Sequence, residues 1–298
     1  VAQEVTTVTC VIDLAVCPVS FDALVMMVKA DIYRREINGD RLHVCAVGNM
    51  RMKSQYDEHE ARWRLWNIVL AVPQLLNATV SYAPDWLSVK RQVSEKDWKQ
   101  WPPDWDRQTL KDRRHLIGSI IEAARHGLIV PTLKASEFAR RKVRDIYARL
   151  GGKVVTMTLR ETYLKERNSV RGDWDRARRH IESKGYAVAI LEDTSSALAH
   201  GSGYGELNVD LRMAMYQEAE LNLQANNGAA SLCWFSDKPW RMFGAGVPAE
   251  EWKGLFVDEG LPLGETWPWS SPQQKIVYGH VTADQIISEF DSWALATK

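Results

Sequence analysis

The feature that most constrains this chain is a repeated alternation, an apolar β-branched run followed by a helical stretch, on both sides of Gly151-Gly152. Residues 5–14 (VTTVTCVIDL) and 153–159 (KVVTMTL) are apolar on both faces rather than alternately. That is the mark of parallel strands covered on both sides. Residues 22–36 after the first run and 174–184 after the second have helical spacing. Further strands are expected at 42–47, 80–82, 187–191 and 221–225. Helices are expected at 57–70, 107–126, 135–150, 210–219 and 283–294. Strands alternating with helices give a parallel sheet, and two such series give an α/β chain of two domains. Gly151-Gly152, after a charged helix, places the expected boundary there, with domains 1–150 and 151–298. Residues 94–106 (SEKDWKQWPPDWD) have no period and read as an exposed loop.

The totals narrow the class. Formal net charge is zero, which does not support a nucleic-acid partner. The four cysteines, Cys10, Cys17, Cys45 and Cys233, form no C-x-x-C pair and read as free thiols in a reducing compartment. No 18-residue apolar run and no signal-peptide pattern is present, so a cytoplasmic protein is expected. Thirteen tryptophans are many. Trp98, Trp101, Trp105, Trp267 and Trp269 lie in polar company, where they read as loop packing or as surfaces for sugar rings.

Ligands of open α/β sheets bind beyond the carboxyl ends of the strands. After the strand 153–159 come Arg160, Glu161, Lys165, Arg167, Asn168 and Ser169, a set of cations, amide and hydroxyl suited to phosphate. After the strand 221–225 comes Asn226-Asn227-Gly228, a strand-to-helix elbow whose N–H groups and amides suit a diphosphate or ribose. Residues tolerant of positive φ serve such an elbow whatever its function. Glu218 and Glu220 precede that strand, and either could accept ribose hydroxyls. In the first half, Asp13 ends the first strand and Asp22 opens the first helix, as its cap or as a general base. Asp173 is the expected cap of the helix 174–184. The triplets Asp104-Trp105-Asp106 and Asp173-Trp174-Asp175 could in principle hold a divalent cation, but neither has the setting of a metal site. Gly201-Ser202-Gly203-Tyr204-Gly205 lacks the dinucleotide spacing, and no P-loop, HExxH or G-x-S-x-G motif occurs.

Three segments together, CPVSFDAL (17–24), TLRETYLKERNS (158–169) and AELNLQANNGAASL (219–232), resemble the GT-B glycosyltransferases, and among them the bacterial heptosyltransferase-like enzymes of surface-polysaccharide assembly. The resemblance implies two Rossmann-like domains facing across a cleft. It implies a nucleotide-sugar donor on the C-terminal domain, held by Arg160, Glu161, Arg167, Asn168, Ser169, Glu220, Asn226, Asn227 and Gly228. It implies Asp22 as catalytic base, with Asp13 as second choice. It implies no bound metal or cofactor, a glycan or glycolipid acceptor, and peripheral contact with the inner face of a membrane. Phe21 stands where the family has glycine, and Ala229-Ala230-Ser231 stands in place of its Gly-x-x-His. A sugar-nucleotide epimerase and a noncatalytic nucleotide- or carbohydrate-binding protein fit the same shell.

Overall fold

The computed structural model describes residues 5–48, 56–96, 98–104, 116–162, 165–193 and 208–297. Two compact units divide it, Val1–Leu133 and Lys134–Lys298.

The first unit runs β1 (Thr7–Asp13), α1 (Asp22–Glu36), β2 (Arg41–Val47), α2 (Glu58–Arg64), β3 (Thr79–Ala83), α3 (Trp86–Lys96), β4 (Lys99–Trp101) and α4 (Gly118–Arg125). Its sheet has the order β3-β2-β1-β4, with every pair parallel. β1 is buried throughout and β2 at every residue but Arg41, as their unbroken apolar runs require. α1 buries Ala23 through Val28 consecutively, so its first two turns are enclosed rather than amphipathic. It ends at Glu36, and Asn38, with φ 54°, lets the chain turn back into β2. The stretch read as a loop, 94–106, instead completes α3 and supplies β4, whose Lys99, Gln100 and Trp101 pair with Val8, Thr9 and Cys10. A three-residue strand is too short to show a period, so pairing with β1 decides it. The helix expected over 107–126 is described from Gly118, and the segment after Gly127 adds no strand.

The second unit runs α5 (Glu137–Arg149), β5 (Val154–Thr158), α6 (Arg171–Ser183), β6 (Ala187–Leu191), α7 (Val209–Glu218), β7 (Leu221–Ala225), α8 (Ser231–Trp234), β8 (Trp240–Ala245), α9 (Ala249–Trp252), β9 (Gln274–Tyr278) and α10 (Ala283–Ala296). The strands lie in the order β6-β5-β7-β8-β9, again all parallel. Side chains alternate across β5 and β7. Val155, Met157, Leu221 and Leu223 meet Trp174 and Ile181 of α6 and Ile286 and Phe290 of α10. Thr156 and Thr158 point to the other face, where Thr156 Oγ1 donates to Asn222 Oδ1 (2.6 Å) and Thr158 and Tyr216 share a hydrogen bond (2.9 Å). Truncating Ile181, fully buried, to alanine costs about 2–5 kcal/mol.

The division between units falls at Leu133/Lys134, before α5, and not at Gly151-Gly152. The reason is packing: α5 binds α7. Arg140 Nε donates to Glu218 (2.6 Å), Tyr147 Oη to the Met215 carbonyl (3.0 Å), and the Ala135 amide to Gln217 Oε1 (2.7 Å). The two glycines, at φ 107° and 88°, only end the helix within the second unit. Asp173 does not cap α6, which begins at Arg171. Its Oδ1 instead accepts from the Ala283 amide (3.1 Å) at the start of α10. The tryptophans read as sugar surfaces mostly pack inward. Trp267 is buried and stacked on Trp269 (5.5 Å between centroids), which stacks on Phe235 (5.6 Å). Trp98 packs on His43 (4.8 Å). Trp105, Asp106 and the Gly201–Gly205 segment lie outside the described residues.

Candidate functional site

In the second sheet the strand order reverses at β5, with β6 on one side and β7 on the other. The loops that leave the carboxyl ends of β5 and β7 therefore diverge and leave a crevice. A cavity of about 130 Å³ lies on this edge. Arg167, Asn168 and Ser169 line it from the loop after β5, Val170 and Trp174 from the start of α6, and Ala225 and Asn226 from the end of β7. Phe243, Gly244 and Val247 close it from β8, and Gly279, His280 and Val281 from the turn after β9. Trp174, Ala225 and Phe243 give the lining an apolar part, and Arg167, Asn168, Ser169, Asn226 and His280 give it a polar one. Such a mixture suits a ligand with one flat apolar part and one anionic part. The β8 backbone bulges between Phe243 and Ala245 at Gly244, which has φ 83°. A β-carbon there would lie 3.4 Å from Val281.

The residues expected from sequence do not all meet at the cavity. Arg167, Asn168, Ser169 and Asn226 line the cavity. Arg160 does not. It is buried, and its Nη1 donates to the Asn226 carbonyl (2.8 Å), joining the end of β5 to the elbow after β7. Its amide donates to Ser169 Oγ (2.9 Å) and its carbonyl accepts from the Ser169 amide (2.9 Å), closing the loop on itself. Asn168 serves the same loop, accepting from the Thr162 amide and donating to the Thr162 carbonyl, both at 2.8 Å. These bonds hold Arg167, on the turn Lys165–Arg167, against the cavity.

Asn227 and Gly228 form the elbow without a left-handed residue. Asn227 has φ −141° and caps the next turn, its Oδ1 accepting from the Ala230 amide (2.9 Å). Gly228 is exposed, and its carbonyl accepts from Ser231 Oγ (2.7 Å). The elbow's requirement is thus a cap and not a positive φ. Glu161 turns away and pairs with Arg171 (2.7 Å), which also holds Glu192. Glu220 is excluded by strand polarity. It precedes β7 and its amide donates to the Val154 carbonyl at the amino end of β5, so it lies on the opposite edge of the sheet. Glu218 is held by Arg140 and Arg144 of α5. The sequence reading missed Gly244, Gly279 and His280. Their only signal is a glycine near the carboxyl end of a short apolar strand, Gly244 within β8 and Gly279 directly after β9.

The first unit puts carboxylates on its carboxyl edge. Asp13 ends β1, next to the point where this sheet's order reverses. Its side chain is buried and accepts from the Ala15 amide (2.9 Å). Burial raises its pKa above the ordinary carboxylate value, against the lowering by that hydrogen bond. Asp22 is the first residue of α1 and is exposed, with Phe21 and not Asp22 in the capping position. Its Oδ2 accepts from Ser20 Oγ (2.7 Å). Cys17, between them, is held as the neutral thiol by burial, and then by Asp22, Cys10 and Asp13. All four cysteines are buried and free. Among the described residues, no group of three or more His, Cys, Asp or Glu is arranged to hold a metal ion.

No family model and no curated protein sequence matches this chain. Solved structures do match. The glycosyl transferase family 9 protein of Veillonella parvula superposes with a TM-score of 0.51 at 11% identity, covering 99% of this chain and 100% of its own. The iron-containing dodecameric glycosyltransferase TibC of enterotoxigenic E. coli also superposes at 0.51, at 14% identity, over 99% of this chain and 78% of its own. At these identities the likeness is one of fold. The chain has a GT-B-like fold of two Rossmann-like α/β domains.

Proposed function

We propose that this protein is a glycosyltransferase that moves a sugar from a nucleotide-sugar donor to a hydroxyl of a glycan or glycolipid acceptor. The observation that carries the reading is the cavity at the β5/β7 reversal, lined by Arg167, Asn168, Ser169 and Asn226 together with the apolar Trp174, Ala225 and Phe243. The fold likeness supports it. The nucleotide occupies the cavity and its diphosphate meets Arg167, which offsets the negative charge that grows on the leaving group. The Ser169 hydroxyl and the Asn226 amide complete the polar rim. In the first unit the Asp22 carboxylate takes the proton of the acceptor hydroxyl. That oxygen then bonds to the anomeric carbon as the bond to the diphosphate breaks. Asp13 is the second candidate for this role, and its raised pKa suits a base.

The reading includes no metal or cofactor. It places the protein in the cytoplasm at the inner face of a membrane, in surface-glycan synthesis. No helix among the described residues is long and apolar enough to cross a membrane.

A thermal-shift series with UDP, GDP, ADP and CMP, each with and without Mg²⁺, tests the donor side. One nucleoside diphosphate at a hundredfold excess over its Kd should raise Tm by about 4 °C. The rise should be independent of Mg²⁺ and fall to about 1–2 °C in Arg167→Ala at the same ligand concentration. Stabilisation by none of the four would refute the nucleotide site, and stabilisation that requires Mg²⁺ would refute the metal-free mechanism.

A further inference from the structure

Trp66 is the one exposed tryptophan among the described residues, with 62% of its surface open. An indole left in water forgoes about 2–3 kcal/mol of burial, and the other described tryptophans are buried or half-buried. The backbone holds it out. Leu65–Val69 is a π-helical turn, closed by the Leu70 amide donating to the Leu65 carbonyl (2.9 Å). Such turns are rare and collect at functional sites. The turn is anchored by Leu65, Ile68 and Val69, all buried, and by Asn67 Nδ2 donating to the Trp63 carbonyl (2.8 Å). With those three side chains pointing inward, Trp66 faces solvent.

Trp66 is not isolated. The Tyr82 ring lies 6.5 Å from it, inclined at 46°. Tyr82 is the penultimate residue of β3, and its hydroxyl donates to the Gly48 carbonyl (2.7 Å), just beyond β2. The Gly48 amide in turn donates to the Ala83 carbonyl (3.1 Å). Asp13 Oδ1 is 3.9 Å from where a β-carbon on Gly48 would stand. Asp13, Gly48 and the two rings therefore follow one another along the carboxyl edge of the first sheet, the edge on which α/β sheets bind ligands. The cations of α2 are already matched, Arg62 by Glu58 (2.6 Å) and Arg64 by Glu60 (2.9 Å). The two rings carry no charge and the Asp13 carboxylate lies on the same edge, which fits the C–H face of an uncharged sugar ring better than an anionic lipid or nucleic acid.

We propose that Trp66 and Tyr82 form a carbohydrate-stacking subsite that holds a neutral sugar ring beside Asp13. Its role as acceptor subsite rests on the glycosyltransferase reading; its affinity for sugar does not. The test uses maltotetraose, cellotetraose, chitotetraose and mannotetraose as probes, with saturation-transfer NMR and calorimetry on the whole chain. At least one probe should bind, with transfer strongest on ring C–H protons. Trp66→Ala should weaken its Kd about tenfold, and Trp66→Phe only about threefold. Tm should stay unchanged, because the ring is exposed. Equal Kd in Trp66→Ala, or no binding of any probe, would overturn the proposal. So would a dimer, seen by sedimentation, that Trp66→Ala dissociates, since the ring would then serve a second copy of the chain. Nucleotide stabilisation, measured in parallel, separates the two ideas. Trp66-dependent sugar binding without nucleotide binding would keep the subsite and remove the transferase.

Discussion

The two sheets share one plan and carry opposite chemistry on the same edge. In the first, the carboxyl edge holds Asp13, Asp22 and the Trp66–Tyr82 pair. In the second, the corresponding edge holds Arg167, Asn168, Ser169 and Asn226 around an apolar floor. A parallel sheet fixes where its loops gather and leaves open what they contain. In the proposed reaction the first edge takes a proton from a hydroxyl and the second receives an anion. Group transfer from a phosphate-bearing donor needs both.

The largest effect should come from the acidic edge. Asp22→Asn removes the proposed base and should lower turnover by about 10²- to 10⁴-fold, with nucleotide affinity unchanged. Turnover by that variant within a few-fold of the parent, measured by release of nucleoside diphosphate, would move the role to Asp13.

A smaller effect should divide the two arginines of the other edge, which look equivalent in sequence. Arg167→Ala should weaken nucleoside diphosphate binding by about 10- to 100-fold, the loss of one or two charge-assisted hydrogen bonds, and cost less stability than Arg160→Ala because Arg167 is less buried. Arg160→Ala should act the other way round. It deletes a buried guanidinium that holds the Asn226 carbonyl, so it should cost about 1.5–3 kcal/mol of stability and weaken binding only through the loosened elbow. Calorimetry of both variants beside their denaturation curves decides the matter. Equal binding losses at equal stability would show that the two arginines share one task.

That pair also shows how far the sequence could be read. The buried strands β1, β2 and β5 were legible as short runs dominated by apolar and β-branched residues, and β7, LNLQA, by its apolar residues at every second position before the Asn226-Asn227-Gly228 elbow. β4 and β9 were not. One is three residues long and the other, QKIVY, carries a lysine, so only pairing with a neighbour makes them strands. At the site, proximity to a strand was readable and direction was not. Glu220 stands one residue from β7, like Asn226, but at the wrong end. Arg160 and Arg167 flank one loop, and only its folding back through Ser169 and Asn168 decides which guanidinium meets the cavity. His280 and Gly279 went unread because β9 did.

The smallest effect concerns Asp13, and its sign sharpens the contrast between the edges. Burial raises the Asp13 pKa, so the folded protein holds this proton more tightly than the unfolded chain does. Stability from that proton is fully present below the unfolded carboxylate pKa of about 3.9 and is lost as pH rises through the folded value. At neutral pH the ionised Asp13 is therefore a net burden. Asp13→Asn keeps an oxygen that can accept from the Ala15 amide while removing the charge. Its Tm should exceed the parent's at pH 7, and the gap should close as pH falls toward about 4. A carboxylate tolerated at a cost in stability is what a functional edge retains. A lower Tm for Asp13→Asn across the whole pH range would instead make Asp13 a structural acceptor for the β1–α1 loop, leaving Asp22 as the only candidate base of the pair.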